Sequence, residues 1–318
     1  MNWTPIVSSP LLMSAVILVG VVCLEALWYW PTKFHPLTFF RFIAHRMEKR
    51  VNRAQKSSPG QNRIAGSLGM LLLIAPFAIC IQLFLSLVHF RWFFDALVLL
   101  IALSFHADFR QYKRVRRTVE AQQKHLAKDG LNQLVLRKTE TLSPLGCAKA
   151  AMESIVLRFY YQFVTIIFWY LVAGPIAALV ARLVYECRQV WNIKHNRMRF
   201  FGAPANGLFN LLCALPCYLG SLVIGLFYRP FATLPVWFSQ LTQSLRQRIV
   251  SLTAVAIQAE LGGPVIYETN KLRLLRFNRA SPTKVGHLNV MQQYVQGAKV
   301  IILVNSILIL TIIYGLTL

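Results

Sequence analysis

The stretch GSLGMLLLIAPFAICIQLFLSLV, residues 66–88, decides the fold, because it contains no charged residue over its whole length. A helix needs about twenty mainly apolar residues to cross the hydrocarbon core of a bilayer. Similar runs begin at Leu11 and at Val300. Of all residues in the chain, 56% are hydrophobic and 14% are charged. In an average soluble domain, about a quarter of the residues are charged. The sequence therefore predicts an all-α integral membrane protein, a polytopic bundle of transmembrane helices.

The predicted bundle has about five to seven membrane segments. The candidate spans are residues 11–30, 66–88, 92–105, 160–180, 207–228 and 300–316, with a partial return at 231–238. One of these spans is interrupted by Gly174-Pro175. A break in a membrane helix frees backbone groups that need partners, so such helices usually line a protein-buried or wet cavity. We therefore expect a broken or re-entrant helix at this point.

Basic residues lie between the apolar runs and give the chain a net charge of +23. The basic segments are residues 31–65, 108–143 and 181–205. Under the positive-inside rule, these segments are cytoplasmic loops. The chain before the first span carries no charge, so we expect the N-terminus on the opposite side. Residues 1–318 are predicted to form a single integral membrane domain.

Several function classes are disfavoured by what the sequence lacks. No module typical of nucleic-acid binding is present, and the basic residues are dispersed, so no nucleic-acid partner is predicted. The six cysteines form no Cys-x-x-Cys pair and the seven histidines are scattered, so no metal site is predicted. A Gly-x-x-x-x-Gly-Lys-Ser/Thr loop is also missing, which argues against an ordinary ATPase.

A basic amphipathic helix is predicted within residues 108–143. Phe109, Tyr112, Val115 and Val119 recur at helical spacing, with arginines and lysines between them. Such a helix could lie on an anionic leaflet. It could equally pack its apolar face on neighbouring helices, and the sequence leaves both interpretations open.

Polar groups beside the apolar runs are the candidates for chemistry. Lys149 precedes Glu153 by four positions and shares its helical face, so the two could form a structural ion pair or part of a site. Lys194-His195 lies just outside a membrane segment, where snorkelling explains most basic residues. The stretch Leu261-Gly262-Gly263-Pro264-x-x-Tyr267 follows an apolar helix. Its glycines could offer backbone N–H groups to an anionic ligand, or simply end the helix.

These residues resemble the CobD/CbiB family of cobalamin-biosynthesis membrane proteins, especially its shorter, divergent gamma-proteobacterial members. The segments that carry the likeness are Leu142–Glu153, Phe168-Trp169-Tyr170, Lys194-His195, Leu215-Pro216 and Leu261–Tyr267. Pro31 with His35-Pro36, and Arg137-Lys138-Thr139, also look like two earlier family motifs. The likeness is fairly continuous over residues 137–318 and patchy before them.

The resemblance implies an enzyme that forms an amide bond in the bacterial inner membrane, with a periplasmic N-terminus. In this family a carboxylate of cobyric acid is joined to the amine of aminopropanol or its O-phosphate, giving cobinamide or its phosphate. Glu153 would orient or deprotonate the amine. The implied substrate-binding residues are Lys149, Lys194, His195, Gly262, Gly263 and Tyr267. The activator of the carboxylate stays open, with ATP as one candidate, and cobalt enters only as part of the corrinoid substrate.

The chain also departs from the family pattern. Leu157, Arg158 and Tyr161-Gln162 stand where the family has a second Glu, an Asn and an Asp-Gly. Residues 185–189 read Tyr-Glu-Cys-Arg-Gln in place of Asn-Thr-Leu-Asp-Ser, and Val250 replaces a Glu. Losing several carboxylates together is typical of a retired active site, or of a relative with another role.

Two alternatives follow from these departures. AmpE, a membrane protein linked to β-lactamase induction, is a distant relative of the same fold. The continuous stretch 215–238 and the Ile-Ile-Tyr-Gly near the C-terminus resemble it. An AmpE-like regulatory or sensory protein without catalytic activity is therefore the first alternative. A transporter is the second, because Glu25, Glu153 and the break at Gly174-Pro175 could mark a pathway. No paired half-repeats support that last interpretation.

Overall fold

The computed structural model describes residues 10–28, 30, 34–52, 58–135, 137, 139–263, 265–267, 270–272 and 275–317. Within this part the chain is mainly helical. The helices are α1 (Pro10–Leu27), α2 (Pro36–Val51), α3 (Pro59–Leu87), α4 (Arg91–Ala102), α5 (His106–Glu120), α6 (Lys124–Asn132), α7 (Pro144–Phe159), α8 (Thr165–Val190), α9 (Ala203–Tyr228), α10 (Pro230–Ser239), α11 (Leu245–Ala256) and α12 (His287–Thr317). A π-helical turn, Tyr160–Val164, joins α7 to α8, and a 3-10 turn, Asn196–Met198, follows α8.

Six helical stretches of the described chain are long and apolar enough to cross a membrane. They are Pro10–Leu27, Pro59–Leu87, Arg91–Glu120, Pro144–Val190, Ala203–Tyr228 and His287–Leu316. The predicted all-α, polytopic bundle is confirmed, and six lies within the predicted range of five to seven segments. The protein is therefore a multi-pass membrane protein.

Helix α3 shows how a spanning helix is built from this sequence. Ser58 caps its N-terminus, because the hydroxyl accepts the N–H of Gln61 while the Gln61 side chain accepts the N–H of Ser58. Leu71 and Leu72 are exposed, as expected for side chains whose solvent is lipid. Gly66 faces inward, where an added Cβ would lie 2.0 Å from the carbonyl oxygen of Phe201. Only glycine allows this close approach.

The described chain divides into two compact units, each of which is described by itself. The first unit comprises Met1–Ser104, Gln162–Cys213 and Leu303–Leu318, and the second comprises Phe105–Tyr161 and Ala214–Ile302. In the first unit, α8 packs against α2, α3 and α4, and α1 packs against α4. Helix α8 is therefore the central element of this unit.

Helix α8 is interrupted where the sequence predicts a break. Gly174 has φ 78° and ψ −172°, and Ala173 has φ −138° and ψ 15°, so neither residue is helical. Pro175 follows directly and lacks a backbone N–H, so it cannot continue the hydrogen-bond ladder. The chain then resumes as helix as far as Val190. The prediction of a broken span is thus confirmed.

In the second unit, α5 packs against α6 and α7, and α7 also packs against α11. The apolar stripe of α5 is buried, and the Tyr112 hydroxyl donates a hydrogen bond to the carbonyl oxygen of Leu288 at 2.7 Å. Arg114 and Arg117 on the same helix are exposed. Of the two interpretations of this amphipathic helix, the structure supports packing on neighbouring helices.

Short strands follow α11, in a region where the sequence predicts only a turn. β1 (Leu261–Gly262) pairs antiparallel with β4 (Arg276–Phe277), and β2 (Val265–Tyr267) pairs antiparallel with β3 (Asn270–Leu272). The turn itself was anticipated correctly, because α11 ends at Ala256 and does not reach the glycines. Strands of two or three residues are too short to produce a readable alternation of apolar and polar positions.

Candidate functional site

The candidate site lies in the second unit and is organised by Glu153. This residue is on α7, a helix that begins at Pro144 with a cap from Ser143, whose hydroxyl accepts the N–H of Gly146. Glu153 lies on the inward face of the helix and is only 4% exposed. A carboxylate removed from water in this way must find partners within the protein.

Glu153 finds its partners on three different segments of the chain. Its Oε1 accepts the backbone N–H of Gly262 at 2.8 Å. Its Oε2 accepts a hydrogen bond from Nη2 of Arg246 at 2.9 Å and lies 3.9 Å from Nη2 of Arg137. Glu153 therefore links α7 to the start of α11, to the glycine turn and to the segment that precedes α7.

Lys149 belongs to the same region but has a different partner. The spacing of four residues left open a structural ion pair between Lys149 and Glu153 or a shared role in a site. Instead, Nζ of Lys149 lies 3.0 Å from Oε1 of Glu260, which is also 3.7 Å from Nη1 of Arg276. Glu153 pairs with Arg246, and Glu260 pairs with Lys149. These pairs form in place of a Lys149–Glu153 pair because tertiary packing brings the distant residues within reach.

We call the four cations around these two carboxylates the basic cluster. Its members are Arg137, Lys149, Arg246 and Arg276. The side chain of Arg276 is 53% exposed and that of Arg137 is 10% exposed, so the cluster runs from the interior to the surface. Four cations against two carboxylates leave an excess of positive charge, which favours anionic ligands.

Gly262 and Gly263 adopt a backbone conformation that side chains disfavour. Their φ angles are +87° and +114°, and a Cβ on Gly262 would lie 2.1 Å from the carbonyl oxygen of Leu275. The N–H of Gly262 donates to Glu153, and the N–H of Gly263 donates to Leu275 at 3.3 Å. Both N–H groups thus have internal partners, which an anionic ligand would have to displace.

The other predicted site residues divide into two groups. Tyr267 lies in β2, but its side chain is outside the described part of the structure. Lys194 and His195 lie in the first unit, in the turn that follows α8, where the N–H of Lys194 donates to Oδ1 of Asn192 at 3.0 Å. The structure thus gathers Lys149, Glu153 and the glycine turn in one unit, and places the Lys-His pair in the other.

A second buried ionic cluster, in the first unit, was not anticipated. Glu186 accepts hydrogen bonds from Nε and Nη2 of Arg41 at 2.5 and 2.9 Å, and Nη2 of Arg182 lies 2.9 Å from its Oε1. His35 lies nearby, and burial together with the charges of Arg182 and Arg41 lowers its pKa to about 4. The available signal was the spacing of Arg182 and Glu186, four residues apart within an apolar helix.

Metal binding has no support within the described residues, where no group of three or more His, Cys, Asp or Glu side chains could hold an ion.

Sequence reasoning did not identify the arginines that bind Glu153. Arg246 carries no local motif, and Arg137 stood out only through its similarity to a family motif. The chemistry that this arrangement can provide is the binding of carboxylate and phosphate groups by guanidinium and ammonium donors.

Two similar proteins match most of this chain in sequence. The chain is 27% identical over 267 residues to "Cobalamin biosynthesis protein CobD" of Chromobacterium violaceum, covering 80% of this chain and 83% of that protein. It is 26% identical over 274 residues to the protein of the same name from Stutzerimonas stutzeri, covering 85% and 89%. No solved structure matches. The family described as "CobD/Cbib protein" matches residues 18–294, and the chain therefore belongs to the CobD/CbiB family.

Proposed function

We propose that this protein acts in cobalamin biosynthesis, where it joins a carboxylate of cobyric acid to the amine of aminopropanol or of its O-phosphate. Membership of the CobD/CbiB family and the names of the two similar proteins support the role in cobalamin biosynthesis. The same comparisons give no support to the AmpE-like alternative. The particular reaction is our inference from the family resemblance and from the chemistry of the basic cluster.

The observation that carries this proposal is the convergence of family-like segments on Glu153. The segments that contain Arg137 and Gly262 are far apart along the chain, yet the Glu153 carboxylate contacts both. Around this contact lies the excess of positive charge described above. Cobyric acid supplies a carboxylate and the phosphorylated amine supplies a phosphate, and both are oxyanions of the kind that arginine binds best.

The reaction forms a C–N bond between the activated carboxylate carbon and the amine nitrogen. The amine loses a proton, and one carboxylate oxygen leaves with the activating group. The basic cluster would assist in two ways. It would hold the anionic groups in register, and nearby cations would disfavour the ammonium form of the amine, so that more of the reactive free amine is present.

Glu153 suits a positioning role better than proton abstraction. Its two oxygens already accept hydrogen bonds from Gly262 and Arg246 and face a second guanidinium, that of Arg137. Neither oxygen could take a proton from the amine without giving up one of these partners. We therefore assign to Glu153 the orientation of Arg246, Arg137 and the glycine turn.

The proposed location is the bacterial inner membrane with the N-terminus in the periplasm. The positive-inside rule then places residues 108–143, which include Arg137, on the cytoplasmic side. Arg137 belongs to the basic cluster, so we propose that this cluster faces the cytoplasm. Soluble corrinoid and amine substrates would reach it there.

Complementation tests this proposal. A bacterial strain blocked between cobyric acid and cobinamide should regain cobalamin-dependent growth on cobyric acid when it carries this gene. Arg246→Gln should abolish the rescue, whereas Arg116→Gln, which removes another ion-paired arginine of the second unit, should leave it intact. Immunoblots of the membrane fraction would confirm equal amounts of each variant. Growth that still requires cobinamide with the wild-type protein in the membrane would refute the proposed reaction.

A further inference from the structure

The triad of Arg41, Arg182 and Glu186 in the first unit has no role in the function proposed above. Glu186 and Arg182 have side chains only 1% exposed, whereas the side chain of Arg41 is 46% exposed. The carboxylate lies between the two guanidinium groups and contacts both. The triad therefore extends from a fully buried arginine to one that reaches the surface of the unit.

The triad carries more positive than negative charge. Two guanidinium groups face one carboxylate, and neighbouring His35 is neutral near pH 7 because its pKa lies near 4. The Nδ1 atom of His35 accepts the N–H of Leu37, so this ring is also engaged in capping α2. A buried charge without a counter-charge is costly, and an additional anion would remove that cost.

Arg182 also has hydrogen-bond donors to spare. Its Nη2 donates to Oγ of Ser104 at 2.9 Å and lies 2.9 Å from Glu186. Its Nε and Nη1 are buried and have no hydrogen-bond partner within the described residues. Buried N–H groups are nearly always satisfied in proteins. Two unsatisfied donors on one fully buried guanidinium indicate a position at which an acceptor belongs.

A partly buried arginine, Arg158, shows what a purely structural role looks like. In the second unit, Nη1 of Arg158 lies 2.5 Å from Oδ1 of Asp108, and its Nη2 donates to the carbonyl oxygen of Leu134 at 3.0 Å. One carboxylate neutralises one guanidinium there, and both of its ends are engaged. Arg182 instead shares its carboxylate with Arg41 and uses only one of its three nitrogens.

The position of Arg182 along α8 fits a ligand site. It follows the break at Gly174 by eight residues, or about 12 Å along the helix axis. Helices interrupted within a membrane commonly contribute to binding sites, and ionisable side chains within membrane segments are rarely there without function. Arg41, the exposed member of the triad, would be the first group that an incoming anion meets.

We propose that Arg182, together with Arg41, binds an oxyanion, either a carboxylate or a phosphate group. Glu186 holds the two guanidinium groups in place, and the oxyanion accepts hydrogen bonds from the free nitrogens of Arg182. The group could belong to a small soluble molecule or to the headgroup of an anionic lipid. This proposal does not depend on the reaction proposed above, because it concerns binding alone.

Thermal unfolding of the full-length protein in a neutral detergent tests the proposal, with inorganic phosphate as the probe at constant ionic strength. Phosphate should raise the Tm of the wild-type protein in a saturable manner. Arg182→Gln should weaken phosphate binding about tenfold or more, because it removes charge-assisted hydrogen bonds. Arg182→Lys should keep part of the response. Arg91→Gln, which removes another arginine–carboxylate pair of the first unit, should leave it unchanged.

Two further arms cover folding and the source of the oxyanion. If Arg182→Gln does not fold, Arg41→Gln replaces it, since that side chain is half exposed, and the same loss of phosphate response is expected. In nanodiscs, a response suppressed by phosphatidylglycerol but not by phosphatidylcholine would identify a lipid headgroup as the occupant. A response in both lipids would identify a soluble anion. No saturable phosphate effect on the wild-type Tm in detergent, or equal effects on wild type and folded Arg182 variants, would overturn the proposal.

Discussion

Glu153 in the second unit and Glu186 in the first are both buried carboxylates that bind arginines, but their surroundings differ. The cations around Glu153 and Glu260 extend to the surface, with Arg276 more than half exposed. Glu186 instead has fully buried Arg182 on one side and half-exposed Arg41 on the other. Solvent can reach Arg276 in the second unit, whereas it does not reach Arg182 in the first.

Loss of the Glu153 carboxylate should therefore differ in its consequences from loss of the Glu186 carboxylate. Glu153 holds a backbone N–H as well as arginines, so it organises the shape of the glycine turn. Glu186 holds two guanidinium groups and compensates buried charge. Both groups have one arginine that is about half exposed, Arg276 in the basic cluster and Arg41 in the triad. The triad differs in having a fully buried arginine, Arg182, with two unsatisfied donors.

The largest loss of stability should come from Glu186→Gln, which keeps the side-chain volume but removes the carboxylate that contacts Arg182 within the described part of the chain. Breaking a buried ion pair from one side leaves an uncompensated charge, so the variant should lose about 3–5 kcal/mol of stability. Thermal unfolding in detergent measures this loss. Asp95→Asn removes the carboxylate that pairs with exposed Arg91 and should cost about 1 kcal/mol or less. Equal losses in the two variants would show that the buried triad is not special.

Gly262→Ala should cause the next largest loss of stability. It tests the glycine turn whose N–H is bound by Glu153. Alanine would have to adopt φ +87° with its Cβ 2.1 Å from the carbonyl oxygen of Leu275. Strain and overpacking together should cost about 2–4 kcal/mol. Gly263→Ala is the matched control, because its φ is also positive but its nearest neighbour, Nε of Arg276, lies 3.6 Å away.

Both variants carry the cost of an alanine at positive φ, but only Gly262→Ala adds the clash with Leu275. The difference between their losses of stability therefore measures the cost of that clash. We expect Gly263→Ala to lose less stability and to retain complementation on cobyric acid. Gly262→Ala should lose complementation, because the N–H that Glu153 accepts would move. If the two alanine variants behave alike, the close approach to Leu275 is not what determines the shape of the turn.

Glu153→Gln should have a smaller effect on stability than Glu186→Gln, although its effect on activity should be large. Glutamine can still accept a hydrogen bond from Gly262, and Arg246 is partly exposed to solvent. The expected loss of stability is about 1–3 kcal/mol. A complementation assay should show little or no growth on cobyric acid even where the membrane contains normal amounts of protein. Full growth would remove Glu153 from the proposed site.

Much of the fold could be predicted because hydropathy is a local property. Runs such as residues 66–88 are long enough to identify a span without knowledge of its neighbours, and Gly174-Pro175 is a break signal that needs no tertiary context. The resemblance assigned Glu153, Lys149 and the glycine turn to one site together with Lys194-His195. The first three lie in the second unit and the Lys-His pair lies in the first. The short strands after Leu261 carry no pattern of sufficient length.

The ionic partners could not be predicted because they come from distant parts of the chain. Arg246 lies 93 residues after Glu153, and Arg41 lies 145 residues before Glu186. No periodicity connects such positions, and the local rule of four-residue spacing suggested Lys149 for Glu153 instead. The same rule would have paired Arg182 with Glu186 correctly. That pair was not predicted, and only the tertiary contacts show which of the two spacings corresponds to an ion pair.

The smallest expected effect is a dependence of stability on pH that arises from His35 in the first unit. Burial and the charges of Arg182 and Arg41 lower the pKa of His35 from 6.5 to about 4. A base whose pKa is lowered by folding favours the folded state while it is neutral, so its contribution is complete above pH 6.5. This contribution is lost progressively as the pH falls from 6.5 towards 4. We expect a loss of about 1 kcal/mol between pH 7 and pH 5, allowing for partial exposure.

His35→Asn tests this origin directly, because asparagine can keep the cap on α2 that His35 provides through Nδ1 but does not titrate. The variant should show a flatter dependence of Tm on pH between 7 and 5 than the wild type. His125→Asn, at an exposed position of α6, should retain the wild-type slope. If His35→Asn keeps the full slope, the acid sensitivity arises elsewhere. The burial of His35 and its proximity to Arg182 and Arg41 would then not be the origin of the acid sensitivity.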